Sequence, residues 1–148
     1  MKQLFFAAMI AVSATTSAFA GTNSINTNDC KDLNCVVENF KNVVVTSKID
    51  FTKATITEAD VKQEMFYNNE GDFIGASKNV AYDKLPAKAI KTISKHYQAP
   101  KYTVKNCIEF LNADNDIKYY VSLDTKTTRT ILEIDELGNT TIFSTSRI

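Results

Sequence analysis

Two runs of this sequence carry a hairpin signature, and one helical pattern lies between them. The first is Met65-Phe66-Tyr67-Asn68-Asn69-Glu70-Gly71-Asp72-Phe73-Ile74, and the second is Ile131-Leu132-Glu133-Ile134-Asp135-Glu136-Leu137-Gly138-Asn139-Thr140-Thr141-Ile142. In each, β-branched or aromatic residues meet a short polar turn containing a glycine, which accepts the positive φ such turns demand, and a second run follows. Leu85-Pro86 opens the helix, since proline is tolerated in a first turn where no intrahelical bond is lost. Ala89, Ile90, Ile93 and Tyr97 recur at helical steps while Lys88, Lys91 and Lys95 fall elsewhere, so one face is apolar and the other basic. Pro100 stops the helix soon after Tyr97. The order predicts an α+β fold, an antiparallel sheet built from hairpins with one main amphipathic helix, about residues 86–97, packed on one face.

The remaining strands follow from alternation. Val43 to Thr46 and Phe51 to Thr57 read as the first two, Val61 to Tyr67 as the third and Phe73 to about Val80 as the fourth. A helical reading of Glu58 to Phe66 competes, but Phe66-Tyr67 leading straight into the Asn-Asn-Glu-Gly turn favours a strand. Beyond the helix, Tyr102, Val104, Ile108 and Phe110 oppose Lys105, Cys107 and Glu109. Next, Tyr119, Val121 and Leu123 oppose Lys118, Tyr120, Ser122 and Asp124, and Thr130, Leu132 and Ile134 oppose Arg129, Glu133 and Asp135, before Thr140 to Ser144 closes the last hairpin. A period of two with one polar side marks an antiparallel sheet covered on one face. If the helix covers Tyr119, Val121, Leu123, Leu132 and Ile134, the other face presents Phe66, Tyr120 and Ile131 among Lys62, Glu64, Lys105 and Glu109. Aromatic groups on a rigid, charged sheet face form a candidate contact surface for a protein or peptide.

The N-terminus reads as a secretory signal peptide, residues 1–20: Lys2, an apolar run from Leu4 to Val12, then Ser17-Ala18-Phe19-Ala20, with cleavage expected between Ala20 and Gly21. That run is shorter than the roughly 20 apolar residues a permanent span needs, so an exported protein, periplasmic or secreted, without a membrane span is expected. Residues 21–35 form a mobile polar leader rich in Asn, Thr, Ser and Asp, and residues 36–148 a single domain. In an oxidising compartment Cys30 and Cys35 are expected to form a disulfide; a redox pair would use Cys-x-x-Cys spacing. Cys107 is left as a buried inert thiol, a partner of one of the other two, or an intermolecular site.

Catalytic signals are sparse. His96 is the only histidine, at the end of the helix where it serves the carbonyl dipole. No metal-ligand spacing, Gly-rich phosphate loop or singled-out carboxylate pair occurs, so neither cofactor nor metal is expected. Asn112-Ala113-Asp114-Asn115-Asp116 has calcium-like alternation, but Ile117 replaces the glycine and Leu123 the bidentate carboxylate such a loop needs; a polar turn is the better reading. Seventeen basic residues balance seventeen acidic ones without a basic stripe along the chain, which argues against nucleic acid and against an anionic membrane surface, since both call for clustered Lys and Arg.

The stretch Phe66 to Gly75, Leu85-Pro86 with Ile90, Ile93 and Tyr97, Tyr119-Tyr120-Val121 and the Gly138 hairpin resembles the PepSY-like, β-lactamase-inhibitor-like family of small exported Bacteroidetes proteins. The resemblance covers roughly Phe40 to Ile148 and rests on turn and core positions. It implies a helix lying on a curved antiparallel sheet, in a periplasmic or secreted protein. Such proteins commonly begin with an amphipathic helix, for which Asp32 to Lys41 is the segment at hand. The expected function is a non-enzymatic binding module, an inhibitor or modulator of an envelope hydrolase being one such role. The alternatives are an envelope enzyme with Cys107 as nucleophile and His96 as base, and a structural or stress-related envelope protein without a discrete ligand.

Overall fold

The computed structural model describes residues 30–58 and 61–148. The expected signal peptide, its Ala20/Gly21 cleavage site and residues 21–29 lie outside the described residues. Eight strands, β1 (Val43–Ser47), β2 (Thr52–Glu58), β3 (Val61–Tyr67), β4 (Phe73–Asn79), β5 (Thr103–Asn112), β6 (Ile117–Asp124), β7 (Thr128–Asp135) and β8 (Thr140–Arg147), form one sheet in chain order, every neighbour antiparallel. Among the described residues two helices accompany it, α1 (Leu33–Asn39) and α2 (Ala87–His96). The sheet therefore dominates the α+β architecture, and the segment read as the fourth strand leads through a short 3-10 turn, Tyr82–Lys84, into α2.

Three of the hairpin turns share one design. Asn68, Asn112 and Asp135 each open a five-residue turn whose fourth residue, Gly71, Asn115 or Gly138, has φ of +91°, +67° or +78°. The opening side chain accepts from the backbone N–H groups inside the turn: Asn68 from Glu70 and Asp72, Asn112 from Asp114 and Asp116, and Asp135 from Asn139. Short polar side chains mimic a backbone turn this way, and glycine or asparagine takes the left-handed position at least cost. Asn112 to Asp116 is thus a turn by construction.

Both helices lie on the same face. Ala54, Met65, Ala76 and Leu111 are successive cross-strand partners, as are Cys107, Val121 and Leu132, and Cys107 and Leu111 share a face of β5. On the N-terminal half, Val36 of α1 is buried against Ala54, Ile56, Met65, Tyr67 and Ala76. Asp32 caps α1, its Oδ1 accepting from the Cys35 amide at 2.8 Å, and the Cys30–Cys35 disulfide holds the incoming chain to it. On the C-terminal half, Ala89 and Ile93 of α2, with Ile90 and Tyr97 at the margins, pack on Cys107, Val121, Leu123, Leu132 and Ile134. Burying each large side chain contributes roughly 1.5–3 kcal/mol, enough to make α2 the main clamp on this half. The β7–β8 turn closes against it: a Cβ on Gly138 would lie 2.9 Å from the Lys88 Cβ.

A β-bulge between Val104 and Asn106 changes the parity of β5. Tyr102 packs with the α2 cluster, yet so does Cys107, three residues after Val104. Glu109 follows Cys107 onto the helix-bearing face, opposite Tyr119, and pairs there with Lys78 at 2.9 Å. The expectation that Glu109 lies on the helix-free face is corrected accordingly: one inserted residue flips every side chain beyond it.

Candidate functional site

The face that no described helix covers, called the helix-free face below, gathers Phe66, Phe110, Ile108, Tyr120 and Ile131, with Phe51 at the β1–β2 turn and Ile74 and Phe143 at the edges, into one apolar cluster. The three residues singled out from sequence, Phe66, Tyr120 and Ile131, therefore share a face and a cluster. They are also more enclosed than a solvent-facing surface implies, with 1%, 3% and 8% of their surface exposed. Among the described residues this cluster is made of strand and turn side chains alone. Burial without a covering helix requires a face's own long side chains to close over one another, which a sheet curved towards that face permits.

The aromatic contacts show how this is done. The rings of Phe51 and Phe66 meet edge-on at 5.9 Å, Phe66 and Phe110 lie 6.3 Å apart across the intervening β4, and Tyr120 meets Phe143 edge-on at 5.4 Å. Gly75 supplies the gap in β4 over which Phe110 leans. Edge-to-face pairs fix ring orientation as well as burying area, so the band is a rigid floor.

Acids on this face are partnered. Glu64 accepts from Lys53 at 2.9 Å and Lys62 at 3.0 Å; Glu133 accepts from Lys118 at 2.9 Å and from the Tyr120 hydroxyl at 2.8 Å; Asp124 is held bidentately by Arg129, both bonds 2.8 Å. Burial, then the bond to Glu133 and its charge, push the Tyr120 hydroxyl well above its ordinary range, so it stays a neutral donor. The Arg129 hydrogen bonds hold the Asp124 carboxyl below the usual carboxylate range against the opposing effect of burial, and Lys105 adds a smaller contribution. The face is thus a stiff apolar floor with a rim of half-buried Lys62, Lys118, Glu133 and Arg129.

The cysteine–histidine alternative meets a chemical obstacle. Cys107 and α2 share a face, but the thiol is 2% exposed beneath Ala89 and Ile93, and burial pushes its pKa up to about 11. A nucleophilic cysteine needs a depressed pKa and an open approach. His96 lies exposed at the end of α2. Cys30 and Cys35 are joined, which leaves Cys107 as the thiol of the domain. Among the described residues no group of three or more His, Cys, Asp or Glu is arranged to hold a metal. No described helix is long and apolar enough to cross a membrane. A cavity of about 420 Å³ opens beside the disulfide, lined by Lys31, Asp72, Phe73, Ala76 and Leu111 among others; it contains no histidine or free cysteine.

An antiparallel eight-stranded meander with helices on one face and an aromatic band on the other defines a class of small sheet-dominated domains. This chain is similar in fold to several solved structures. A DUF2874 family protein from Bacteroides uniformis superposes with a TM-score of 0.63 at 9% identity over 78% of this chain and 83% of its own. A second DUF2874 family protein, from Bacteroides ovatus, gives 0.62 at 11% identity over 86% and 89%. A BLIP-like protein from Bacteroides fragilis gives 0.59 at 8% identity over 78% and 82%. At such identities the likeness is one of fold. No family model matches the sequence, and no curated protein does.

Proposed function

We propose that the chain is an exported, non-enzymatic binding module whose helix-free sheet face docks a protein or peptide in the periplasm or outside the cell. The observation that carries this reading is the aromatic band from Phe51 to Phe143, fixed in orientation on a face that no described helix covers. Protein interfaces favour such anchors, rigid aromatic groups ringed by polar side chains. The disulfide supports export, because such bonds persist in oxidising compartments. The BLIP-like description of the Bacteroides fragilis structure is in keeping with the modulator role, and the sealed Cys107 thiol favours binding over nucleophilic catalysis. The PepSY-like side of the resemblance rests on the turn and core residues from Phe66 to Gly138.

Phe66, Tyr120 and Ile131 act in this reading as the floor, and Lys62, Lys118 and Phe143 as the surface a partner touches. A Tyr120→Ala variant would therefore truncate a core residue as well as remove a contact. The test uses the rim: envelope proteins captured by the wild type are compared with those captured by a Lys62→Glu/Lys118→Glu variant of unchanged circular dichroism. A specific partner lost at least about tenfold by the variant is the expected result, since rim charges govern encounter and register. Equal recovery of every captured protein removes this face as the contact.

A further inference from the structure

The sequence's balanced charge conceals a segregation. From Lys84 to Lys101 the chain carries five lysines and His96 and not one carboxylate. All five lysines are exposed, with the exposed Asp83 just before the first of them, and Lys84, Lys91, Lys95 and Lys101 form no ion pair with a described carboxylate. Lys88, at the N-terminal end of α2, is engaged: its ammonium donates to Asn139, which in turn bonds Asp135. Because Ala89 and Ile93 fix the inner face of α2 on the sheet, Lys91 and Lys95, one turn apart, must point outward on the far side.

Exposed apolar groups stand beside this ridge. Leu137, 77% exposed, precedes Gly138, the residue that abuts Pro86 and Lys88 at the start of α2. Ile142, 63% exposed, is the β8 partner of Leu132 and so lies on the helix-bearing face, beside the strands α2 covers. A surface whose lysines without an ion-pair partner outnumber its exposed carboxylates, Asp83 beside Lys84 and Glu136 beside Leu137, and which also bears two protruding aliphatic side chains, has the composition of a peripheral membrane contact, in which charge draws the protein to the surface and small apolar groups enter the headgroup layer.

We propose that the outer face of α2, with Leu137 and Ile142, rests on an anionic lipid bilayer. The helix-free face then points away from the membrane, open to a partner. The proposal stands independently of what that partner is.

The test is sedimentation of the Gly21–Ile148 chain, which contains every described element, with phosphatidylcholine vesicles and with phosphatidylcholine–phosphatidylglycerol vesicles. Binding to the mixed vesicles alone is expected, released by high salt. Each lysine near an anionic surface contributes about fivefold to partition, so Lys91→Gln/Lys95→Gln weakens binding about 25-fold. Leu137→Ser weakens it by about tenfold, the loss of one aliphatic side chain from the interface. Heparin separates a membrane contact from a general affinity for polyanions: Leu137→Ser should bind heparin as the wild type does. The proposal is overturned by equal sedimentation of wild type and the double glutamine variant. It is overturned equally by vesicle binding that Leu137→Ser leaves unchanged, which would mean recognition of charge alone.

Discussion

The ring of Phe110 lies over Gly75: a Cβ built on Gly75 would fall 2.4 Å from Phe110 Cζ and 2.6 Å from the Leu111 carbonyl oxygen. The missing side chain on β4 is what lets Phe66 of β3 and Phe110 of β5 converge across it. Gly75→Ala is therefore expected to destabilise the domain by about 1–3 kcal/mol, the range for overpacking a filled site, read from the urea midpoint. Phe110→Leu in the same chain should restore only part of this, because the Leu111 carbonyl stays where it is.

Cys107 is expected to behave as a core thiol. With its pKa pushed up to about 11 by burial, it should resist iodoacetamide in the native state near neutral pH and react fully in denaturant. Rapid native-state alkylation would revive a nucleophilic role.

The Cys30–Cys35 bond closes a loop of sequence separation 5 and fixes the chain entering α1. Loop-closure entropy for so short a loop gives about 2 kcal/mol, and Cys30→Ser/Cys35→Ser should lose about that much. Hydrogen exchange should localise the loss to α1 and to the Ala54, Ile56 and Met65 layer beneath it.

Acid sensitivity has a defined sign. Asp124 is held below the usual carboxylate range by Arg129, and Asp135 by its hydrogen bonds with Asn139. Below the ordinary carboxylate value of about 3.9 the unfolded chain takes up protons that the fold resists. Both contributions are thus complete above that value and lost as pH falls through the lower, folded pKa. Unfolding free energy measured against pH should rise through this acidic window, and Asp124→Asn should flatten the rise.

Much of this architecture is legible in the sequence because its signals are local. Glycine at the left-handed turn position marks the Asn68 and Asp135 hairpins, and the spacing of Ala89, Ile93 and Tyr97 marks α2. Two features escape local reading. The bulge after Val104 inserts one residue with no glycine to announce it, and so sends Cys107 and Glu109 to the helix side. The enclosure of Phe66 depends on a glycine on the neighbouring strand and on Phe110 leaning over it from the strand beyond, and that of Tyr120 on Phe143, nonlocal relations that strand periodicity does not encode. For the candidate site, alternation correctly groups Phe66, Tyr120 and Ile131 on one face but overstates how much of each meets solvent. Phe51, Phe110 and Phe143 complete the cluster, and the signal for them is their aromatic character, Phe110 and Phe143 within strands and Phe51 just before one.

The most direct measurement of the two-faced design places a photo-crosslinking residue at Lys118, on the rim of the helix-free face, or at Ser94, exposed on α2, and irradiates each variant in intact cell envelopes. A discrete protein adduct from position 118 that is absent from position 94 is the predicted result. The same protein adduct from position 94 alone would contradict it and assign the contact to the wrong face.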